Sequence, residues 1–230
     1  SPWTLTSYLV SAFAYLYFFI GCMLGSVIAF LFALIPMSKK KKRQGMATIL
    51  HYGGASLIYI MFNVTKKFYN RDVFNLEKPS ILIANHSSVL DILLTLTISP
   101  KVLLVTNNWV YNSPFFGYLV RTAGFVLNSD LENNLDSIQE KINDGYSIMI
   151  FPEGGRFADG SVHDFYSGFA ILAKKLGRPV IPVYIHNLDK VYPPNVFWIH
   201  SYPITVVIGR PFVIQEGETE QEFKDRVHTW

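Results

Sequence analysis

The sequence predicts an α/β domain, a central mostly parallel or mixed sheet flanked by helices, behind N-terminal membrane helices. Three observations predict it. From Ser80 onward, short runs rich in Val and Ile alternate with helix-like segments, the pattern of helices packed against a sheet. Two of those runs, 80–84 and 147–151, end abruptly in polar turns. Residues 1–38 contain no Asp, Glu, Lys, Arg or His, and from Tyr8 to Pro36 the chain is almost wholly apolar. That run exceeds the ~20 residues a membrane-spanning helix needs.

Taken in order, residues 1–38 are the first unit, a transmembrane or re-entrant membrane segment. It reads as one tilted helix, or as a helix broken near Gly21 and Gly25 that enters and leaves by one face. No basic residue precedes the apolar run, so it lacks the pattern of a secretory signal peptide. Lys39–Arg43 follows at once. A basic cluster directly after an apolar span marks the cytoplasmic side, and each charge near an anionic surface adds about 1 kcal/mol. The second unit, 39–70, joins this cluster to a helix over 44–70 that lies along the membrane and ends on Lys66-Lys67.

The third unit, 71–230, begins with a polar connector up to Pro79. Its expected strands are 80–84, 102–106, 124–127, 147–151, 179–185 and 204–208. A helix is expected over 131–144, where Leu131, Leu135, Ile138 and Ile142 share one face. Ser129 or Asp130 can cap its start and Gly145 can end it. Two more are expected over 166–176, stopped by Gly177, and near 218–228.

The net charge of +3 is local in origin. Lys39–Arg43 supplies five positive charges, and the rest of the chain is slightly acidic, which argues against a nucleic-acid-binding surface. Cys22 is the only cysteine and lies in the apolar run, so there is no disulfide framework, thiolate metal cluster or placed thiol nucleophile. The six histidines have no ligand-like spacing, and no bound metal or cofactor is expected.

Two stretches carry chemistry. In the first, the apolar run Ile81–Ala84 stops at Asn85-His86, and Asp91 follows within the first turn of a helix if Ser88 caps it. A carboxylate that takes the proton of one imidazole nitrogen leaves the other free as a base. Ser88-x-x-Asp91 is equally the spacing of a capping box. In the second, Ile148-Met-Ile-Phe151 runs into Pro152, Glu153, Gly154, Gly155 and Arg156. Glycines let backbone N–H groups approach an anion, and Arg offers a planar fork for phosphate or carboxylate. A tight turn with a surface Glu–Arg pair is the plainer reading. If 80–84 and 147–151 run parallel, both turns open on the end of the sheet where ligands bind.

Asn85-His86-Ser-Ser-Val-Leu-Asp91 resembles the N-H-x(4)-D motif of the glycerolipid acyltransferases, the lysophosphatidic acid (1-acylglycerol-3-phosphate) acyltransferase family. Phe151-Pro152-Glu153-Gly154-Gly155-Arg156 resembles that family's F-P-E-G-T-R motif, and Val180-Ile181-Pro182-Val183 its closing V-P-V-type motif. Pro114, Gly117 and Gly124 match the intervening P-x-x-G…G region, so the resemblance runs from about Ser80 to Asn187. It implies a membrane-bound acyltransferase working at the cytoplasmic face, in bacteria the inner membrane. His86 would be the general base, oriented by Asp91, and the donor would be acyl-CoA or acyl carrier protein. Glu153, Gly154, Gly155 and Arg156 would bind the acceptor, with Arg156 facing its phosphate. Trp109–Gly117 is also similar to acyltransferase domains that some bacteria fuse to lipid exporters of the resistance-nodulation type, which implies a fused or associated exporter and suits a first residue other than Met.

Three positions depart from the family. Gly155 stands in place of its Thr, Phe165-Tyr166-Ser167-Gly168 lacks the lysine often found before the glycine, and Asn107-Asn108-Trp109 lacks a basic residue. Each removes a polar or positive group near the implied phosphate site. The acceptor implied is therefore a lysophospholipid or, alternatively, another hydroxylated or amino lipid. A lipid-binding module without turnover is the reading from a different class, and retention of His86 with Asp91 argues against it.

Overall fold

Two adjacent strands, β2 (Ile81–Ala84) and β5 (Ser147–Ile150), are buried at every position because both their faces are covered. The computed structural model describes residues 5–73, 78–131, 135–157 and 159–230. Around this pair lie β1 (Lys66–Tyr69), β3 (Val102–Thr106), β4 (Val126–Leu127), β6 (Val180–His186) and β7 (Ile204–Ile208). The sheet order is β1-β7-β6-β2-β5-β3-β4, and every neighbouring pair is parallel except β6 with β7. The sheet is mixed and mostly parallel, as the alternating pattern predicts. Because β2 is flanked by β5 and β6 in parallel, their carboxyl ends open together.

Helices cover the sheet. α1 is Leu5–Leu34, α2 Lys39–Ile60, α3 Leu90–Leu96, α4 Asn108–Tyr111 and α5 Gly117–Ala123. α6 is Leu135–Asn143, α7 Gly168–Leu176, α8 Leu188–Val191 and α9 Glu220–His228. α7 packs on β2 and β6, and α9 on α7 through Phe169 and Phe223. Both rings are almost completely buried, each contributing roughly 1.5–3 kcal/mol by leaving water. The face expected on α6 is confirmed at Ile138 and Ile142, both buried; residues 132–134 of the expected 131–144 helix lie outside the described residues. So do 1–4 of the apolar segment and 74–77 of the connector.

Three expectations change. The apolar segment is one unbroken helix, α1, with no break at Gly21 or Gly25. At Gly25 a Cβ would run into Leu119, so the glycine serves close packing against α5. The helix expected over 44–70 ends at Ile60, and Lys66–Tyr69 is an edge strand paired with β7. Its period-two burial was hidden because two of its four residues are lysines. Finally, the basic cluster is only partly available to a membrane. Arg43 is 7% exposed, donating to Asp144 Oδ2 (3.1 Å) and Glu140 Oε1 (2.9 Å), and Lys40 pairs with Asp144 (2.7 Å). The Arg43 guanidinium holds the Glu140 carboxyl below its usual range.

α1 lies along the rest of the protein. Ser11 Oγ accepts from Ile199 N (2.7 Å), Tyr15 and Tyr192 share a hydroxyl hydrogen bond (2.5 Å), and Ser26 Oγ donates to Phe115 O (2.8 Å). Its buried stripe is mostly small (Ser7, Ser11, Ala14, Gly25, Ala29), while Leu9, Phe13, Phe19, Met23, Phe30 and their neighbours face outward.

Candidate active site

The catalytic candidate is built at the end of β2. Asn85 extends the β2–β6 ladder with its side chain, donating from Nδ2 to Ile185 O (2.9 Å) and accepting from Ile185 N at Oδ1 (2.7 Å). The turn that follows is thereby fixed to the neighbouring strand. His86 Nδ1 meets Asp91 Oδ2 at 2.8 Å, and the ring stacks on Phe151 at 4.3 Å and 23°.

Asp91 has no exposed surface, and its Oδ2 also accepts the amides of Ser87 and Ser88, both at 2.7 Å. A buried carboxylate is sustained by such donors. Asp91 therefore does part of what a capping box does and orients His86 as well. Ser88 is not the N-cap of α3, which is Val89, although its Oγ accepts from Leu90 N at a long 3.4 Å; its hydroxyl donates to Tyr192 O (3.2 Å). With Nδ1–H directed at Asp91, Nε2 has no hydrogen-bond partner among the described residues. It is the nitrogen of this ring left to take a proton from another molecule.

The second turn leaves β5, the parallel neighbour of β2, so the two motifs share one end of the sheet. Glu153 is buried, and its two oxygens accept backbone amides, Oε1 from His86 (3.0 Å) and Oε2 from His163 (3.4 Å). Burial pushes its carboxyl above the usual range, an effect the two amides oppose. Glu153 thus joins the two turns. Gly154 has φ +68°, and a Cβ there would meet the Tyr166 ring at 2.6 Å, so both conformation and space require glycine. Arg156 is exposed and, among the described residues, has no ion-pair partner. At Gly155 a Cβ would lie 3.3 Å from the Phe157 ring, so a threonine there would press on that ring.

Sequence reasoning brought together His86, Asp91, Glu153 and Arg156, but missed Phe151, Tyr192 and Phe157. Phe151 was legible as the residue ending the strand beside β2. The contacts of Tyr192 and Phe157 with the Asn85–Asp91 turn run through their backbone atoms, which leave no mark in side-chain identity.

Residues 65–186, just over half of the chain, match the family model described as Acyltransferase. The chain belongs to this acyltransferase family. It is 29% identical over 165 residues to a 1-acyl-sn-glycerol-3-phosphate acyltransferase of Pseudomonas aeruginosa, covering 67% of this chain and 63% of that protein. A chloroplastic 1-acyl-sn-glycerol-3-phosphate acyltransferase of Brassica napus is 28% identical over 156 residues, covering 63% of this chain and 45% of its own length. The chain thus spans less than two thirds of either relative. The crystal structure of PlsC, the 1-acyl-sn-glycerophosphate acyltransferase of Thermotoga maritima, superposes with a TM-score of 0.79, covering 97% of this chain and 93% of that one. At 20% identity this likeness establishes the fold, including the long N-terminal helix and mixed sheet.

Proposed function

We propose that this protein is a membrane-seated O-acyltransferase that moves a fatty acyl group from acyl-CoA or acyl carrier protein to the hydroxyl of a lysophosphatidate-like lysophospholipid. The observation that carries the reading is the His86–Asp91 pair, with Nε2 unengaged, at the same sheet end as Arg156. Nε2 takes the acceptor's hydroxyl proton as the oxygen attacks the thioester carbonyl. The tetrahedral oxyanion then collapses, breaking the C–S bond, and the imidazolium returns its proton to the departing thiolate. Asp91 stabilises the imidazolium between these steps. Arg156 holds the acceptor phosphate, supported by the turn of Gly154 and Gly155, and Glu153 keeps the two turns in register.

The seating we propose is in one leaflet, at the cytoplasmic face. α1 is bonded to the domain at Ser11 and at Ser26, 15 residues apart or about 22 Å of helix. A helix tied down over that length lies along the domain and cannot cross a ~30 Å hydrocarbon core with the domain outside. Its exposed apolar face, with Lys39 and Lys41 at its end, suits an anionic lipid surface. A fused or associated exporter has no support in the relatives described above.

A second acceptor class is favoured by one observation: residue 155 has no side chain, and the Phe157 ring lies 3.3 Å from where its Cβ would be. That wall suits a less charged hydroxylated or amino lipid. An acyl-transfer assay in lipid nanodiscs decides between the two. With labelled acyl-CoA or acyl carrier protein and an acceptor panel, lysophosphatidate should give product that His86→Ala abolishes. His86-dependent product from another acceptor alone would select the second class. Product that survives His86→Ala would contradict the mechanism.

A further inference from the structure

The backbone of His86 is held at both its polar atoms, and both holds come from the loop after β5. Its N–H donates to Glu153 Oε1, and its carbonyl accepts from Phe157 N at 2.9 Å. What fixes Phe157 is a second histidine. The Phe157 and His163 rings stack at 3.8 Å and 17°, and His163 Nε2 meets Asp159 Oδ2 at 2.8 Å. Asp159 Oδ1 accepts from Ser161 N (3.0 Å), and His163 O accepts from His228 Nε2 of α9 (3.1 Å).

We propose that His163, acting through Phe157, is a positioning residue that fixes the carbonyl of His86 and so the aim of its ring. The proposal rests on the reading of His86 as base. His163 reaches the catalytic turn by two routes, its backbone through Glu153 and its side chain through Phe157, and substitution separates them. His163→Ala keeps the amide bond to Glu153 but removes the stack and the Asp159 bond. Residual exposure of 35% for the His163 side chain and 55% for Asp159 marks a surface pair, which by itself contributes little to global stability. Activity lost without stability is therefore the signature of positioning.

The test combines kinetics and amide exchange in nanodiscs. His163→Ala should lower kcat roughly ten- to a hundredfold, the scale of a misplacement of about 1 Å, with both KM values within about twofold. Phe157→Ala should do the same, and the double variant should be no worse than either. His163→Phe, which keeps a ring in the stack, should recover most of the rate. Exchange at the Phe157 amide should quicken in His163→Ala. An unchanged kcat, or a loss confined to the KM of the acceptor, would overturn the proposal, as would unchanged exchange at Phe157 whatever the activity. A wild-type activity indifferent to His86→Ala would instead sink the reading of the base, and the exchange result would still report the hold.

Discussion

The two turns at the sheet end are built on opposite plans. The Asn85–Asp91 turn is tied down by side chains: Asn85 on β6, Asp91 Oδ2 on three donors and Ser88 on Tyr192, while Nε2 of His86 is unclaimed among the described residues. At Gly154–Arg156 the backbone is set by a left-handed glycine, while Arg156 is exposed and rings replace polar side chains. The difference separates two tasks. Proton transfer depends on geometry fixed before the substrate arrives. On the reading proposed here, acceptor choice depends on what lines an open wall, and only Phe157 ties that wall to the base, through its amide on the His86 carbonyl.

The comparison can be broken from either side. The largest effect should come from Asp91→Asn, which presents an NH2 group or a neutral oxygen to donors that now share one carboxylate. Acyl transfer should fall on the order of 10²–10⁴-fold, the range of general-base catalysis, when kcat is measured with saturating substrates. Arg156→Ala should raise the KM for phosphate-bearing acceptors about tenfold, as loss of a charge-assisted hydrogen bond does, and leave thermal stability unchanged. Equal KM values in variant and wild type would remove Arg156 from the site.

The basic cluster repeats the contrast between buried and open. Arg43→Ala leaves Asp144 only the exposed Lys40 and should cost roughly 1–3 kcal/mol of stability in denaturant titrations. Lys41→Ala should leave stability alone and weaken binding to anionic vesicles by about 1 kcal/mol. The smallest effect is expected at Gly155. Gly155→Thr meets the Phe157 ring, so it should shift preference toward lysophosphatidate, read as the ratio of kcat/KM between acceptors, only when combined with Phe157→Ala, whose loss of kcat falls on every acceptor alike.

Much of this was legible in the sequence because it is local. Ile81–Ala84 and Ser147–Ile150 announce buried strands, and the histidine and arginine motifs stand directly at their ends. The spacing of Ser88 and Asp91 fitted both a capping box and a carboxylate turned back to His86, and Asp91 does meet the imidazole. What escaped depends on distant residues or on backbone atoms. Arg43 finds its partners about a hundred residues away on α6 and just beyond it. The hold of Phe157 on His86 is an amide–carbonyl bond that any residue with an N–H could make. The packing of α1 along the domain was hidden because a helix that lies on a domain and one that crosses a bilayer share the same apolar composition.

The central claim is that the free nitrogen of His86 is the base. The dependence of kcat/KM on pH, measured in nanodiscs with lysophosphatidate and an acyl thioester, tests it most directly. The account predicts a rate that falls with unit slope as acid protonates the base, and a residual rate in His86→Ala that is smaller on the order of 10²–10⁴-fold and lacks that limb. A wild-type profile without an acid limb, or the same limb in His86→Ala, would place the base elsewhere.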